Sequence, residues 1–164
     1  MKVVFISDIH GKPDNLERIP KDYDKLIVLG DIFGSNEENN QIILDFLKNN
    51  DAIIVKGNCD NEYFFESEHL SYFSDYSFFI DKGLNISYTH GHLYNVNYNP
   101  LSCDALIYGH KHYPFITLKD KTTYICVGSI SFPRNESKCS YLVYENGVFR
   151  IFDLDKNVID EIKL

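Results

Sequence analysis

Side chains that can bind metal ions recur directly after short apolar stretches of the chain. Eight of them do so: Asp8, His10, Asp31, Asn58, His90, His92, His110 and His112. Glycine lies beside each group, which lets the backbone turn sharply there. Because functional groups in open α/β sheets collect at the carboxyl ends of the strands, the pattern predicts that these side chains converge at one edge of a sheet.

The chemistry of this set is typical of a divalent-metal site. Carboxylate, imidazole and amide groups without a thiolate cluster suit manganese, iron, zinc, nickel or cobalt. Seven ligands, all of the above except His92, exceed the four or so of a single zinc site. They are enough for two ions if one carboxylate bridges. Two ions about 4 Å apart are a common device for displacement at phosphorus.

The charge balance narrows the choice of partners. Lys and Arg number 16 against 24 Asp and Glu, which gives a formal net charge of −8. Such a surface argues against binding of long nucleic acid or anionic lipid. Two divalent ions would supply the local positive charge that a small phosphate substrate needs.

The first third of the chain predicts the elements that position these groups. Residues 3–6, 26–29 and 52–55 are aliphatic runs typical of buried strands. Residues 37–49 predict a helix with Ile42, Ile43, Phe46 and Leu47 on one face, opened by a capping box of Ser35 and Glu38. Pro13 suits the start of a shorter helix that carries Leu16 and Ile19 and ends at Pro20. The order strand, helix, strand, helix, strand indicates a right-handed parallel unit.

The rest of the chain is richer in strand patterns. Residues 76–81, 85–89, 105–108, 115–118 and 123–127 are short strand-like runs. Residues 141–144 and 148–154 flank Asn146-Gly147 as a hairpin, and residues 158–162 form a last strand. The sequence therefore predicts an α/β fold of two packed sheets with helices outside.

Length and composition favour a single domain over residues 1–164, with 44% apolar and 24% charged residues. The four cysteines form no CxxC pair, and we expect reduced thiols. The first apolar run is too short for a signal peptide, and no window approaches the ~20 apolar residues of a membrane span. We expect a cytoplasmic protein that makes no use of a membrane.

The polar segments resemble the motifs of a known family in their residues and in their order along the chain. The calcineurin-like metallophosphoesterases carry similar motifs in the same order as Asp8-Ile9-His10, Gly30-Asp31, Gly57-Asn58, Thr89-His90-Gly91-His92 and Gly109-His110-Lys111-His112. More narrowly, the chain is similar to the small YfcE-type phosphodiesterases in Gly57-Asn58-Cys59-Asp60, the Thr-His-Gly-His-Leu run and Gly128-Ser129-Ile130-Ser131-Phe132-Pro133. The likeness runs from Lys2 to about Pro133.

The resemblance implies a fold, a site and a reaction. The fold is a β-sandwich of two mixed sheets flanked by helices. Asp8, His10, Asp31 and His112 would hold the first metal, with Asp31 bridging, and Asn58, His90 and His110 would complete the second. Two divalent ions are implied, most often manganese, with nickel, iron, zinc or cobalt as alternatives. The implied reaction is hydrolysis of a small phosphodiester by in-line attack of a hydroxide held by this dinuclear centre.

Cys59 departs from the wider superfamily, which has a histidine at that point. A thiol is a poor substitute for imidazolium in protonating a leaving group, so we expect a preference for diesters with good leaving groups. We assign catalytic roles to Asp31, Asn58, His92 and Cys59. His92 has a plain hydrogen-bonding role as its alternative, Cys59 that of a small residue that fits, and Asn58 that of a turn residue.

Other functions stay open at this point. The same fold can serve as a catalytically inactive protein-binding scaffold, and the same site could belong to a phosphomonoesterase or a nucleotide pyrophosphatase. We expect residues 93–103 and the segment near Tyr63 to form the substrate walls. The eight aromatic residues between Tyr63 and Phe79 are expected mostly in the core. Any exposed ones favour a homodimer.

Overall fold

Twelve β-strands form two mixed sheets in the computed structural model, which describes all 164 residues. In chain order the strands are β1 (Lys2–Ile6), β2 (Lys25–Val28), β3 (Ile53–Val55), β4 (Tyr72–Phe73), β5 (Tyr76–Asp81), β6 (Leu84–Thr89), β7 (Ala105–Tyr108), β8 (Pro114–Lys119), β9 (Thr122–Val127), β10 (Ser140–Glu145), β11 (Val148–Asp153) and β12 (Val158–Lys163). The helices are α1 (Glu37–Asn49) and α2 (Glu62–Ser67), with a 3₁₀ turn at Leu16–Arg18.

The first sheet has seven strands in the order β12-β11-β10-β1-β2-β3-β4. Strands β1 to β4 run parallel, and β10 to β12 extend the sheet antiparallel from β1. The second sheet has five strands in the order β5-β6-β7-β9-β8, with β6, β7 and β9 parallel. The predicted two-sheet α/β fold is therefore confirmed.

The two faces of β1 show how the layers pack. Val3 and Phe5 belong to a cluster of 15 buried residues that joins both sheets, where they meet residues such as Ile107. Val4 and Ile6 point the other way, into a second cluster that includes Ile43 of α1. Successive side chains of a strand alternate between faces, so a strand with no polar position must be covered on both.

Helix α1 has the predicted bounds, but its N-cap lies one residue later than predicted. Asn36, not Ser35, is the N-cap, and its side-chain oxygen accepts a hydrogen bond from the backbone N–H of Asn39 at 2.9 Å. Asparagine caps a helix as well as serine does. The buried stripe is also rotated, because Leu44 is buried while Ile42 is 54% exposed. The capping-box prediction and the placement of Ile42 were therefore wrong.

The aromatic segment forms elements that the sequence did not predict. Helix α2 and the two-residue strand β4 lie within it. Phe65 is fully buried, and Phe64, Tyr72 and Phe79 pack partly buried against the core. The other four are exposed, so the expectation of mostly core packing was wrong for Tyr63, Phe73, Tyr76 and Phe78.

Two smaller observations concern the cysteines and the helices. All four cysteines are free thiols, as expected. Neither helix has the length and apolar character needed to cross a membrane.

Candidate metal centre

The loops that follow β1, β2, β3, β6 and β7 meet at one edge of the two sheets. Each carries predicted ligands, and the structure brings their polar atoms together. Nε2 of His90 lies 3.4 Å from Oδ2 of Asp31 and 3.2 Å from Oδ1 of Asn58. Nε2 of His112 lies 3.2 Å from Oδ1 of Asp8 and 3.4 Å from Nε2 of His10.

Three groups of side chains have ligand atoms that all lie within 4.8 Å of one another. They are Asp8 with His10 and His112, His10 with Asp31 and Cys59, and Asp31 with His90 and His110. Asp31 therefore lies between the two histidine-rich halves of the site. Its Oδ2 is 3.7 Å from Nε2 of His10 on one side and 3.4 Å from Nε2 of His90 on the other.

The backbone at this edge is unusual. Five of the seven predicted metal ligands have a positive φ, between 46° and 63°: Asp8, His10, Asp31, His110 and His112. Residues other than glycine seldom adopt this left-handed region, and each instance costs free energy that the surrounding structure must offset. At this edge the left-handed conformation turns each side chain back across the end of its strand toward the common centre.

Three side chains that we gave no role in the sequence analysis fix this backbone. The buried carboxylate of Asp60 accepts hydrogen bonds from the backbone N–H groups of Asp31, Ile32 and Gly57, each at 2.8 Å. The hydroxyl of Ser129 donates to the carbonyl oxygen of Asp8 at 2.8 Å. That of Ser7 donates to Leu29. Asp60 belongs to the Gly-Asn-Cys-Asp motif, so its position in that motif was the available signal.

Two positions of the site require glycine because atoms of a neighbouring loop lie very close to the backbone there. A Cβ atom on Gly57 would lie 2.2 Å from Oδ1 of Asp31, and one on Gly109 would lie 2.8 Å from Oδ2 of Asp8. No side chain fits at those distances. The absence of a side chain at each glycine therefore lets a neighbouring loop reach a carboxylate of the site.

The hydrogen bonds of His90 and His112 indicate whether the site can accommodate a cation. Nδ1 of His90 lies 2.6 Å from the carbonyl oxygen of Leu29, and Nδ1 of His112 lies 2.7 Å from that of Phe132. A carbonyl can only accept, so Nδ1 carries the proton in each ring. In a neutral ring the lone pair of Nε2 then faces carboxylate and amide oxygens, which are acceptors too.

Acceptors that face acceptors in a buried space need a positive charge between them. Oδ1 of Asp8 adds to this need, because it is buried and has no hydrogen-bond partner. Metal-binding histidines typically donate their second ring N–H to a carbonyl or carboxylate, as His90 and His112 do here. The residues therefore fit divalent metal ions.

The pKa shifts of the metal-free chain show the same need for positive charge. Burial acts to lower the pKa of His90, but its contacts with Asp31 and Asp8 raise it on balance. A hydrogen bond to Asp8 raises the pKa of His112. Burial acts to raise the pKa of Asp31, yet the neighbouring His90 lowers it overall. The carboxylates of Asp8 and Asp31 therefore favour a positive charge on both rings.

The remaining predicted residues lie at the margin of this centre. Cys59 is exposed, and burial of its sulfur together with the charge of Asp31 raises its pKa to about 11. The side-chain amide of Asn58 donates to Sγ of Cys59 at 3.3 Å. The ring of His92 lies 5.3 Å from that of His90 between centroids, belongs to none of the three groups, and has a buried Nδ1 without a partner.

A family model described as the calcineurin-like phosphoesterase superfamily domain matches residues 1–147. The chain belongs to this superfamily. It is 26% identical over 187 residues to phosphodiesterase YfcE of Escherichia coli K12, with 100% of this chain and 98% of the relative covered. It is also 30% identical over 177 residues to the probable metallophosphoesterase YsnB of Bacillus subtilis, covering 99% and 97% of the two chains.

Solved structures agree with this assignment. The phosphoesterase YfcE from E. coli superposes with a TM-score of 0.87 at 25% identity, covering 99% of both chains. The zinc complex of Vps29 from Entamoeba histolytica superposes with a TM-score of 0.67 at 18% identity over 99% of each, which shows a shared fold alone. As a member of the calcineurin-like family with these relatives, the chain is a metal-dependent phosphoesterase.

Two clefts flank the phosphoesterase centre. One, of about 520 Å³, is lined by His10, His112, Phe132, Pro133 and Arg134. The other, of about 250 Å³, lies beside Cys59 and includes the aromatic pair Phe33 and Phe64. Residues 93–103, expected as a substrate wall, line neither cleft. Their Ser102 and Cys103 instead line a pocket that includes Asn85, at the opposite end of β6 from His90.

Proposed function

We propose that the protein hydrolyses small phosphodiesters by in-line attack of a hydroxide held by a dinuclear divalent-metal centre. In this proposal Asp8, His10, Asp31 and His112 hold one ion, and Asp31, Asn58, His90 and His110 hold the other. The position of the Asp31 carboxylate between His10 and His90 is the observation that carries it, because a bridging carboxylate is what lets seven ligands serve two ions.

When bound, the two ions supply the hydroxide nucleophile at neutral pH and positive charge at the phosphoryl oxygens. The chain's own residues prepare this site. The carbonyls of Leu29 and Phe132 orient the rings of His90 and His112, and Asp60 fixes the backbone that carries Asp31. We assign contact with the substrate phosphate to His92, whose ring lies next to that of His90.

The leaving group decides which esters react. The sulfur of Cys59 lies within 4.8 Å of ligand atoms of His10 and Asp31, and a thiol with a pKa of about 11 is a weak proton donor near neutral pH. Departure then depends on the stability of the leaving alkoxide or phenolate. A thiol is also a poor substitute for imidazolium in neutralising the dianionic phosphate of a monoester, so we expect diesters with good leaving groups to react faster than monoesters.

Manganese is the ion we propose. Apart from the protonated thiol of Cys59, the donor set consists of nitrogen and oxygen atoms, which suits manganese and equally admits iron, cobalt, nickel or zinc. The free state of all four cysteines supports a reducing compartment, the cytoplasm. The exposed aromatic residues Tyr76 and Phe78 on the edge strand β5 support a homodimer.

The decisive test is hydrolysis of bis(p-nitrophenyl) phosphate by chelator-treated protein reloaded with manganese. Asp31→Ala and His110→Ala should each lower kcat/KM by at least about 100-fold. Asp120→Asn, a change of an exposed carboxylate at the β8–β9 turn, is the matched control and should leave kcat/KM unchanged. Full activity in the Asp31 and His110 variants would discard the mechanism.

Two alternatives have separate tests. A protein-binding scaffold has no need to retain two ions, so metal analysis of the reloaded protein should give two per chain if the enzyme proposal holds. A phosphomonoesterase would favour p-nitrophenyl phosphate over the diester. We expect the reverse, by about tenfold or more in kcat/KM.

A further inference from the structure

The cleft beside His10 and His112 carries two cationic side chains that the proposed reaction does not use. Arg134 lines the cleft directly. The ammonium of Lys12 lies 3.9 Å from the centroid of the Phe132 ring, which forms the cleft wall. The ring of Phe132 in turn lies 5.7 Å from that of His10 between centroids. The ring of Phe132 therefore lies between Lys12 and the predicted ligand His10, and Arg134 lines the same cleft as His10 and His112.

Arg134 differs from the other two arginines of the chain. Arg18 is paired with Asp155 and Arg150 with Glu161, each at 2.9 Å. The guanidinium of Arg134 has no carboxylate partner and makes no side-chain hydrogen bond, and the ammonium of Lys12 has no carboxylate partner either. In a chain of net charge −8, two cations left free beside a phosphate-handling centre are unexpected.

Backbone hydrogen bonds fix the chain at Lys12, Phe132 and Arg134 while the two charged ends stay free, and the N–H of Lys12 donates to the carbonyl oxygen of Ile9 at 3.1 Å. The N–H of Arg134 donates to the carbonyl oxygen of His112 at 2.9 Å. The N–H of Phe132 donates to the buried hydroxyl of Ser129 at 2.7 Å. Because the backbone of Arg134 is already fixed, binding of an anion would have to order only its side chain, whose guanidinium is free to reach the anion.

We propose that Arg134, assisted by Lys12, forms a subsite for a second phosphate group of the substrate, separate from the phosphate that is cleaved. This inference rests on the proposed function and adds a substrate class: phosphodiesters that carry an additional phosphomonoester on one arm. The arginine fork binds phosphate oxygens in pairs. The ring of Phe132 separates Lys12 from His10, which keeps the second anion away from the metal ligands.

The test compares two chromogenic diesters with the same leaving group. They are the p-nitrophenyl ester of thymidine 5′-phosphate and the same compound with a 3′-phosphate. The manganese-loaded wild-type protein should cleave the 3′-phosphorylated compound with a higher kcat/KM. Arg134→Gln should lower kcat/KM for that compound by about tenfold or more while changing it less than about twofold for the other. Lys12→Gln should act in the same direction with a smaller loss.

Matched controls remove a cation elsewhere. Arg150→Gln and Lys82→Gln, at β11 and at the exposed β5–β6 turn, should leave the ratio of the two substrates unchanged. Equal rates on both substrates for the wild-type protein would overturn the subsite. So would an equal loss on both in Arg134→Gln, since that residue would then act on the cleaved phosphate or on the fold.

A binding measurement separates this inference from the proposed function. By calorimetry, the manganese-loaded protein should bind thymidine 3′,5′-bisphosphate more tightly than thymidine 5′-monophosphate, and Arg134→Gln should remove the difference. If neither ester is cleaved but this difference is present, the hydrolase proposal fails and the anion subsite stands. If cleavage occurs and the difference is absent, the subsite fails alone.

Discussion

Oδ2 of Asp8 accepts a hydrogen bond from the backbone N–H of His110 at 2.9 Å, across 102 residues of sequence. Asp8 follows β1 in the seven-stranded sheet, and His110 follows β7 in the five-stranded sheet. One carboxylate therefore joins the strand ends of the two sheets through Oδ2. Its other oxygen, Oδ1, faces His112 at 3.2 Å and is free to bind a cation.

Because the two carboxylate oxygens of Asp8 have different roles, we predict that two substitutions of Asp8 differ in their effects on stability. Asp8→Asn keeps an oxygen for the His110 N–H, so in the absence of metal it should unfold near the temperature of the metal-free wild-type protein. It should lose metal binding and at least about 100-fold in activity. Asp8→Ala leaves a buried N–H without an acceptor and should also lose about 1–3 kcal/mol of stability. Thermal unfolding and metal analysis of both variants check this.

Asp24→Asn is the control, because Asp24 also accepts a backbone N–H, that of Lys2, but lies exposed and outside the site. It should retain metal and activity. Equal instability of the two Asp8 variants would contradict the assigned role of Oδ2.

A second prediction concerns Gly109, which lets the two sheets approach at the site. A Cβ there would lie 1.8 Å from Oγ of Ser7 and 2.8 Å from Oδ2 of Asp8, both on the other sheet's loop. Gly109→Ala should destabilise the protein by about 1–3 kcal/mol and lower metal binding, because the carboxylate must move. Urea unfolding and metal titration measure the two effects.

Gly83→Ala is the comparison for Gly109. Gly83 has a φ of +84° at the β5–β6 turn, and a Cβ there would meet nothing within 4 Å. The Gly83→Ala substitution should lower the free energy of unfolding by about 1 kcal/mol through backbone strain alone and leave metal binding intact. A Gly109 variant that binds metal as the Gly83 variant does would show that the loop has room to shift.

Local sequence signals were enough for the parts of the fold that are covered on both faces. Residues 3–6, 26–29 and 52–55 read as buried strands because nothing but apolar side chains can face two layers, and they became β1, β2 and β3. The convergence of Asp8 and Asp31 also followed from the neighbouring parallel strands that precede them, whereas His110 follows a strand of the other sheet and joins them through the packing of the two sheets.

Other features depend on contacts that no local pattern encodes. Helix α2 and strand β4 lie at a sheet margin, where four of eight aromatic residues stay exposed. The role of Asp60 depends on three N–H groups, two of which belong to a loop 28 and 29 residues away in the chain. The positive φ of five ligands follows from the meeting of loops, and only glycines marked those turns in advance.

A third prediction concerns acid stability at Asp153, far from the metal centre. Its carboxylate accepts hydrogen bonds from Lys138 at 2.7 Å and from the backbone N–H groups of Asp155 and Asn157, and these contacts lower its pKa. A lowered folded-state pKa means that the stabilisation is present above the unfolded pKa of about 4 and is lost as the pH falls below it.

Asp153→Asn should therefore lower the urea midpoint of unfolding at pH 7. The difference in midpoint between this variant and the wild-type protein should become smaller between pH 4 and about pH 2. Asp51→Asn, a change at an exposed carboxylate without hydrogen bonds, should show no such gap at any pH. A gap that persists unchanged at pH 2 would mean that shape, rather than charge, accounts for the effect.

The last prediction tests the state of Cys59, an exposed thiol that lies beside buried carboxylates. Its pKa is raised from 9.0 to about 11, first by burial of the sulfur and then by the charge of Asp31. Only the thiolate reacts with iodoacetamide, so a shift of this size lowers the reactive fraction about 100-fold at pH 8. The thiolate of a weaker acid is the better nucleophile, which offsets part of this loss. In the metal-free protein Cys59 should therefore be alkylated about 10-fold more slowly than in the urea-unfolded chain, as followed by mass spectrometry of its peptide. Asp31→Asn should speed this alkylation by removing the nearest negative charge. If folded and unfolded chains react alike at Cys59, the thiol is unperturbed, and the raised pKa assigned to it is wrong.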